Sequence, residues 1–190
     1  MRALYGRYFA ARYEAIAAEV PAGSSVVDVC SGDGYLYLNY LRALAVRYQA
    51  LDISRHLVQW MQRHGIEAQQ FDMWQDTLPV ADIVIMQASL YQFLPDAAPM
   101  IEKMLCAAQR QVIVTEPIRN ISSSDNSLLR FVGKRLTRPE KGGGAYRANR
   151  FDRDSLLALA QQFPALERSC ELPGGREMMI VLRGQAIPRE

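Results

Sequence analysis

The sequence predicts an α/β fold: a doubly wound, mostly parallel sheet of seven strands, with helices on both faces and an antiparallel last strand. Three observations carry this. Short β-branched runs alternate with helical stretches through most of the chain, a pattern that builds parallel strands joined by right-handed crossovers. The first run, VVDVCSGDG from Val26 to Gly34, passes directly into a glycine turn. The last two runs are joined through Pro173, Gly174 and Gly175, a connection short enough for a hairpin that reverses the final strand.

Each element has a local reason. A helix is expected over residues 3–20, where charged and apolar residues interleave. Ser25–Val29 reads as a strand buried on both faces, followed by the turn at Gly32 and Gly34 and a helix over 35–46. A second strand, 47–53, brings Asp52 to its end, and Ser54 caps a helix carrying Leu57, Val58, Trp60 and Met61. A third strand over 68–73 carries Asp72. A fourth, Ala81–Gln87, has an apolar centre and runs into the loop Gln87-Ala88-Ser89-Leu90-Tyr91. A helix over 96–108 leads to a fifth strand over 111–116. Asp152 caps a helix reaching Phe163, and strands over 166–172 and 177–183 close the chain.

The glycine turn carries the chemistry. Glycines at 32 and 34 let the backbone turn sharply and approach a ligand that a Cβ would hold off. A dinucleotide fingerprint G-x-G-x-x-G needs a third glycine, and that position is Tyr37, too large for close packing of helix on strand. The run instead resembles motif I of the class I (Rossmann-like) S-adenosylmethionine-dependent methyltransferases, an acid followed by G-x-G-x-G, matched here by Asp28, Cys30, Gly32 and Gly34. Cys30 departs from the first glycine. Asp52 lies 24 residues beyond Asp28, about the spacing at which α/β nucleotide sites set a carboxylate on ribose hydroxyls.

The resemblance spans nearly the whole chain and implies S-adenosylmethionine as cofactor, with S-adenosylhomocysteine as product. It implies a cofactor site of Asp28, Cys30, Ser31, Gly32, Gly34, Asp52, Ile53, Asp72, Met73, Gln87 and Tyr8. In that site Asp52 meets the ribose, Asp72 the adenine amino group, and Met73 or Trp74 covers the ring. Tyr5 and Tyr8 on the first helix either close over the methionine end or pack into the core. The loop from Gln87 to Tyr91 resembles motif IV of small-molecule methyltransferases. It lacks the Asn/Asp-Pro-Pro-aromatic run of enzymes that methylate nucleic-acid amino groups, so a nucleic-acid acceptor is not expected. The expected reaction is in-line attack by the acceptor on the sulfonium methyl, accelerated by alignment of the two reactants.

Composition agrees with a single domain over residues 1–190. At 190 residues with 49% hydrophobic content, the chain can bury a full core, and a net charge of +2 gives no argument for a nucleic-acid partner. Three widely separated cysteines, Cys30, Cys106 and Cys170, suggest neither a disulfide framework nor a zinc site. No His and carboxylate cluster suggests a metal. The opening stretch lacks the apolar core of a signal peptide and no segment is apolar enough to span a bilayer, so a cytoplasmic location is expected.

Residues 117–150 stand outside the common core. They hold eight Lys or Arg residues against Asp125 and Glu140, a local balance of +6. This stretch is expected to form a lid over the acceptor pocket and to attract an anionic or carrier-bound small-molecule substrate. Candidates for a catalytic role are Tyr91, which either orients the substrate or donor or simply packs, and Glu116, which ends the fifth strand and either faces the pocket as a base or caps a loop. His56 and His64 fall on the helix after the second strand, where packing or exposure is the better reading. Two other classes stay open: a non-catalytic S-adenosylmethionine-binding or scaffold protein, and a dinucleotide-dependent oxidoreductase, against which Tyr37 argues.

Overall fold

The structure is a computed structural model that describes residues 8–118 and 150–185. The expected lid falls almost wholly outside the described residues, as does Tyr5.

Seven strands form one sheet. They are β1 (Ser25–Val29), β2 (Arg47–Asp52), β3 (Ala68–Gln70), β4 (Ala81–Gln87), β5 (Ala108–Pro117), β6 (Leu166–Glu171) and β7 (Glu177–Arg183), in spatial order β3-β2-β1-β4-β5-β7-β6. The pairs among β1 to β5 are parallel, and β7 runs antiparallel to both β5 and β6. The sheet therefore matches the seven-stranded, doubly wound arrangement expected, with the reversed strand where the Pro173-Gly174-Gly175 turn requires it. The strand order reverses between β1 and β4, which opens a crevice at their carboxyl ends where open α/β sheets bind ligands.

Two cores sit on the two faces, because successive strand residues point to opposite sides. Val27, Val29, Val84, Met86, Val112 and Val114 pack under α3 (Ala98–Ala107) and α4 (Arg153–Ala160), through Met100, Met104 and Leu156. Val26, Ala50, Ile83, Ile85 and Ile113 pack under α1 (Ala11–Glu19) and α2 (Arg55–Arg63), through Ile16, Val58 and Met61. Caps fall where the residue types ask for them. Ser54 accepts from the Leu57 amide, and Asp152 forms a reciprocal capping box with Ser155.

Several boundaries differ from expectation. The segment after the glycine turn is not one α-helix over 35–46 but a π-helical turn, Tyr37–Leu41, followed by a 3-10 turn, Arg42–Leu44. Within it Tyr37 stacks on Tyr48 of β2 with ring centroids 4.5 Å apart. Strand β3 stops at Gln70 because Asp72 turns the chain: its carboxylate accepts from the Trp74 amide at 2.9 Å while its own amide donates to Asp76. Helix α3 begins two residues later than expected, at Ala98, and α4 ends at Ala160. The first helix is regular only from Ala11, with Tyr8 in a preceding 3-10 turn.

Candidate functional site

The strand ends place Asp28, Asp52, Gln87 and Glu116 along one edge of the sheet, around the turn from Cys30 to Gly34. Cys30, Gly32 and Gly34 all have positive φ, at 55°, 65° and 67°. This gives a physical reason for a glycine at the first of these positions: the left-handed backbone suits a residue without a Cβ, and Cys30 adopts it against a steric cost. The turn thus keeps its left-handed shape despite the substitution.

The two glycines do different work. A Cβ on Gly32 would meet nothing within 4 Å, so its side-chain position is open space at the mouth of the turn. A Cβ on Gly34 would stand 2.5 Å from Ile66 Cδ1 and 3.3 Å from Met61 Sδ. Gly34 is therefore required by packing against α2 and the segment after it, whereas the Cβ position of Gly32 is unobstructed.

Asp52 binds the turn to its own strand. One carboxylate oxygen accepts from the Gly32 amide at 2.9 Å and the other from the Ser54 amide at 2.8 Å. Only 8% of the residue is exposed, and burial raises its pKa against the lowering effect of those two amides. Each oxygen keeps a second lone pair. Ser31, also buried, donates its hydroxyl to the Leu51 carbonyl at 3.4 Å and so pins the turn to β2. Ile53 is 64% exposed beside this carboxylate, an apolar surface free for a ligand.

Asp28 lies deeper, with no exposed surface. One oxygen accepts from the Tyr48 hydroxyl at 2.6 Å and from Gln87 Nε2 at 3.1 Å, while Oδ1 has no hydrogen-bond partner. Burial pushes its pKa up to about 7, against those two donors. Tyr48 stands outside every motif in the sequence; its place on β2, paired in register with Val26 two residues before Asp28, sets it on the same face as Asp28.

Asp72, Met73 and Trp74 are placed differently from one another. Both Asp72 carboxylate oxygens are engaged within their own turn, by the Trp74 amide and by Gln75 Nε2 at 3.1 Å. Met73 is buried in the core beneath α3, so of the two candidates for covering a ring only Trp74 is exposed, its ring edge-on to Phe93 at 5.7 Å. Tyr8 packs over Gly174 in the β6–β7 turn, where its ring lies 2.8 Å from the point a Cβ would occupy.

Glu116 is fully buried. Its Oε1 accepts from the Leu90 amide at 2.6 Å, so it fixes the turn that follows β4 rather than one following its own strand. Its Oε2 has no partner, and burial pushes its pKa up to about 7 against the Leu90 amide. Tyr91, carried by that turn, lies under the Arg150 guanidinium, whose carbon is 3.6 Å from the ring centroid. His56 is exposed on α2 and His64 at its C-terminal cap, where it stacks on Trp60. Among the described residues no group of His, Cys, Asp or Glu is placed to hold a metal, and no helix is long and apolar enough to cross a membrane. The cysteines are free, and burial first, then Asp52, Asp28 and Glu116, push the Cys30 thiol up to about 12.

One more pair ties the site to the first helix. Arg12 of α1 and Glu177 of β7 form a buried ion pair, with Arg12 Nε also donating to Oε2 at 3.2 Å. Phe9, Tyr13, Tyr35 and Tyr40 pack beside it as an aromatic cluster joining α1 to the segment after the glycine turn.

The reversed β7 beside β5, the strand order and the glycine turn at the β1 end together define the fold of the class I S-adenosylmethionine-dependent methyltransferases. Solved structures agree. Magnesium protoporphyrin IX methyltransferase from Synechocystis PCC 6803, with S-adenosylhomocysteine bound, is similar at a TM-score of 0.67 and 16% identity, over 97% of this chain and 92% of that one. A TehB-like S-adenosylmethionine-dependent methyltransferase from Corynebacterium glutamicum gives 0.64 and 14%, over 97% and 92%. An S-adenosylmethionine-dependent methyltransferase from Mesorhizobium loti gives 0.65 and 15%, over 95% and 99%. Within this class the chain belongs to the MetW family, described as methionine biosynthesis protein MetW, whose model matches residues 10–121. No curated protein matches the chain.

Proposed function

We propose that this chain binds S-adenosylmethionine at the carboxyl edge of the sheet and transfers its methyl group to a small-molecule acceptor. The observation that carries the reading is the Asp52 carboxylate, held between the Gly32 and Ser54 amides beside the open space over Gly32. The residues fit a nucleoside-bearing ligand. Asp52 keeps lone pairs for vicinal hydroxyls, Ile53 offers an apolar face for a base, and Gly32 leaves room for the ligand's approach. Asp28, with one oxygen lacking a partner, forms the floor together with Gln87.

Bound S-adenosylmethionine would supply an electrophilic methyl group on a sulfonium. The chain's own part is to orient and to exclude water. Glu116 fixes the turn that presents Tyr91, and the aromatic cluster of Phe9, Tyr13, Tyr35 and Tyr40 walls the side next to α1. Glu116 is buried on the Leu90 amide, and His56 and His64 lie exposed on α2 and at its C-terminal cap, so none of these three is offered to the crevice as a general base. The family's description, methionine biosynthesis, supports a small metabolite over a nucleic acid as acceptor. The free cysteines are compatible with a cytoplasmic location.

Calorimetry with S-adenosylmethionine, S-adenosylhomocysteine and NAD tests the cofactor. Binding of the first two without NAD is expected, and tight NAD binding without S-adenosylhomocysteine would overturn the reading. Release of S-adenosylhomocysteine on adding a candidate acceptor separates an enzyme from a binding protein.

A further inference from the structure

A second feature lies outside the cofactor crevice. A cavity of about 570 Å³ opens between the segment before α3 and the exposed face of α4. That volume lies in the usual range for small-molecule sites. Leu94, Ala98, Phe151 and Leu159 supply the larger, apolar part of its wall, Ser155 and Gln162 add polar groups, and two charges stand on its rim, Arg150 and the exposed Asp96.

Arg150 is unusually well placed to receive an anion. Its guanidinium lies face-on over Tyr91, 3.6 Å from the ring centroid, and it makes no ion pair among the described residues. Stacking uses the flat face of a guanidinium and leaves the in-plane N–H edge free, the edge that grips a carboxylate or phosphate with two parallel hydrogen bonds. The ring beneath is itself held, since Tyr91 belongs to the turn that Glu116 fixes through the Leu90 amide at 2.6 Å. A buried carboxylate, a clamped ring and a stacked guanidinium thus form a connected support ending at the cavity rim.

We propose that this cavity binds an amphipathic oxyanion, an apolar body with one carboxylate or phosphate head, and that Arg150 is the residue that recognises the head. The apolar walls take the body and the guanidinium edge takes the head. Taking that molecule as the methyl acceptor rests on the function proposed above; its binding does not.

Calorimetry with decanoate, decyl phosphate and decanol tests this. The two anions share an alkyl chain with the alcohol, so a difference reports the head group. At least one anion should bind about tenfold or more tightly than decanol, as expected for a charge-assisted hydrogen-bonded pair, and the better anion identifies the head. Arg150→Gln should abolish that preference while leaving decanol binding and S-adenosylhomocysteine binding unchanged. Arg150→Lys should keep only part of it, because an ammonium lacks the fork. Ala158→Glu, on the exposed cavity wall, should weaken the anion similarly and serves if the arginine variants fail to fold. Equal binding of anion and alcohol, no binding of either, or full retention of anion affinity in Arg150→Gln would overturn the proposal. Loss of S-adenosylhomocysteine binding by the wild-type chain would instead sink the methyl-transfer reading and leave the anion site standing.

Discussion

Leu90 donates its backbone N–H to the buried Glu116 carboxylate at 2.6 Å, across 26 residues of sequence. The bond joins the end of β5 to the turn after β4, and so makes an acid at one strand end responsible for the shape of the neighbouring one. Glu116 and Asp28 are alike in this respect. Each has one oxygen engaged and one without a partner, on adjoining edges of the same crevice.

This arrangement gives stability a pH dependence with a definite sign. Burial holds both carboxyls at about 7, above ordinary values of 3.8 and 4.5. In that window the folded chain binds more protons than the unfolded one, so these two groups stabilise fully below about pH 4 and progressively less as pH rises through about 7. Urea unfolding of the wild type should therefore show a decline from about pH 4.5 to about pH 7.5 of more than about 1 kcal/mol relative to an Asp28→Asn, Glu116→Gln double variant. Parallel pH profiles for the two proteins would refute the assignment.

Gly32 and Gly34 should separate binding from folding. Gly34→Ala forces a Cβ to 2.5 Å from Ile66 at a left-handed φ and should cost about 2 kcal/mol or more. Gly32→Ala meets no atom within 4 Å and should cost only about 1 kcal/mol, from its φ. In exchange it should weaken S-adenosylhomocysteine binding by about tenfold or more, since its Cβ enters the open space at the turn. Thermal melts and calorimetry on the two variants check both halves.

Cys30 is strained but half-buried against the core, and these effects oppose each other. Cys30→Gly relieves a left-handed φ of 55° while giving up packing against the core and adding freedom to the unfolded chain, so its stability should stay within about 1 kcal/mol of wild type. Cys30→Val, β-branched in the same conformation, should lose about 2 kcal/mol. With its thiol pushed up to about 12, Cys30 should react with a thiol probe more slowly than the exposed Cys106 in the folded chain. Mass spectrometry of the labelled protein would show the order.

Arg12 and Glu177 hold α1 against β7 from inside the protein. Removing one partner strands a buried charge, so Arg12→Met alone should destabilise by about 3–5 kcal/mol. The double variant Arg12→Met, Glu177→Met should recover much of that, because neither charge remains to be paired. A double variant no better than the single one in urea unfolding would mean that the pair acts through packing and not through charge.

Much of the fold was legible because its signals are local. Continuous apolar runs marked β1 and β4, the residue types of Ser54 and Asp152 marked two helix starts, and Pro173-Gly174-Gly175 marked the hairpin that reverses β7. Boundaries were less legible where a side chain overrode the pattern. Asp72 ends β3 by turning the chain onto itself, and a π-helical turn replaces the helix expected after Gly34.

The sequence by itself determined the glycine turn, the order of acids at strand ends and the alternation that forces a two-faced sheet, since each depends on residues a few positions apart. Only the tertiary structure decided what those residues touch. It separated Gly32, open to the crevice, from Gly34, packed on Ile66, and it gave Glu116 to Leu90 and Tyr48 to Asp28. It also joined Arg12 to Glu177 across 165 residues. The reason is physical: conformation follows from the local chain, whereas a hydrogen-bond partner depends on strand order and register, which the folded sheet alone sets.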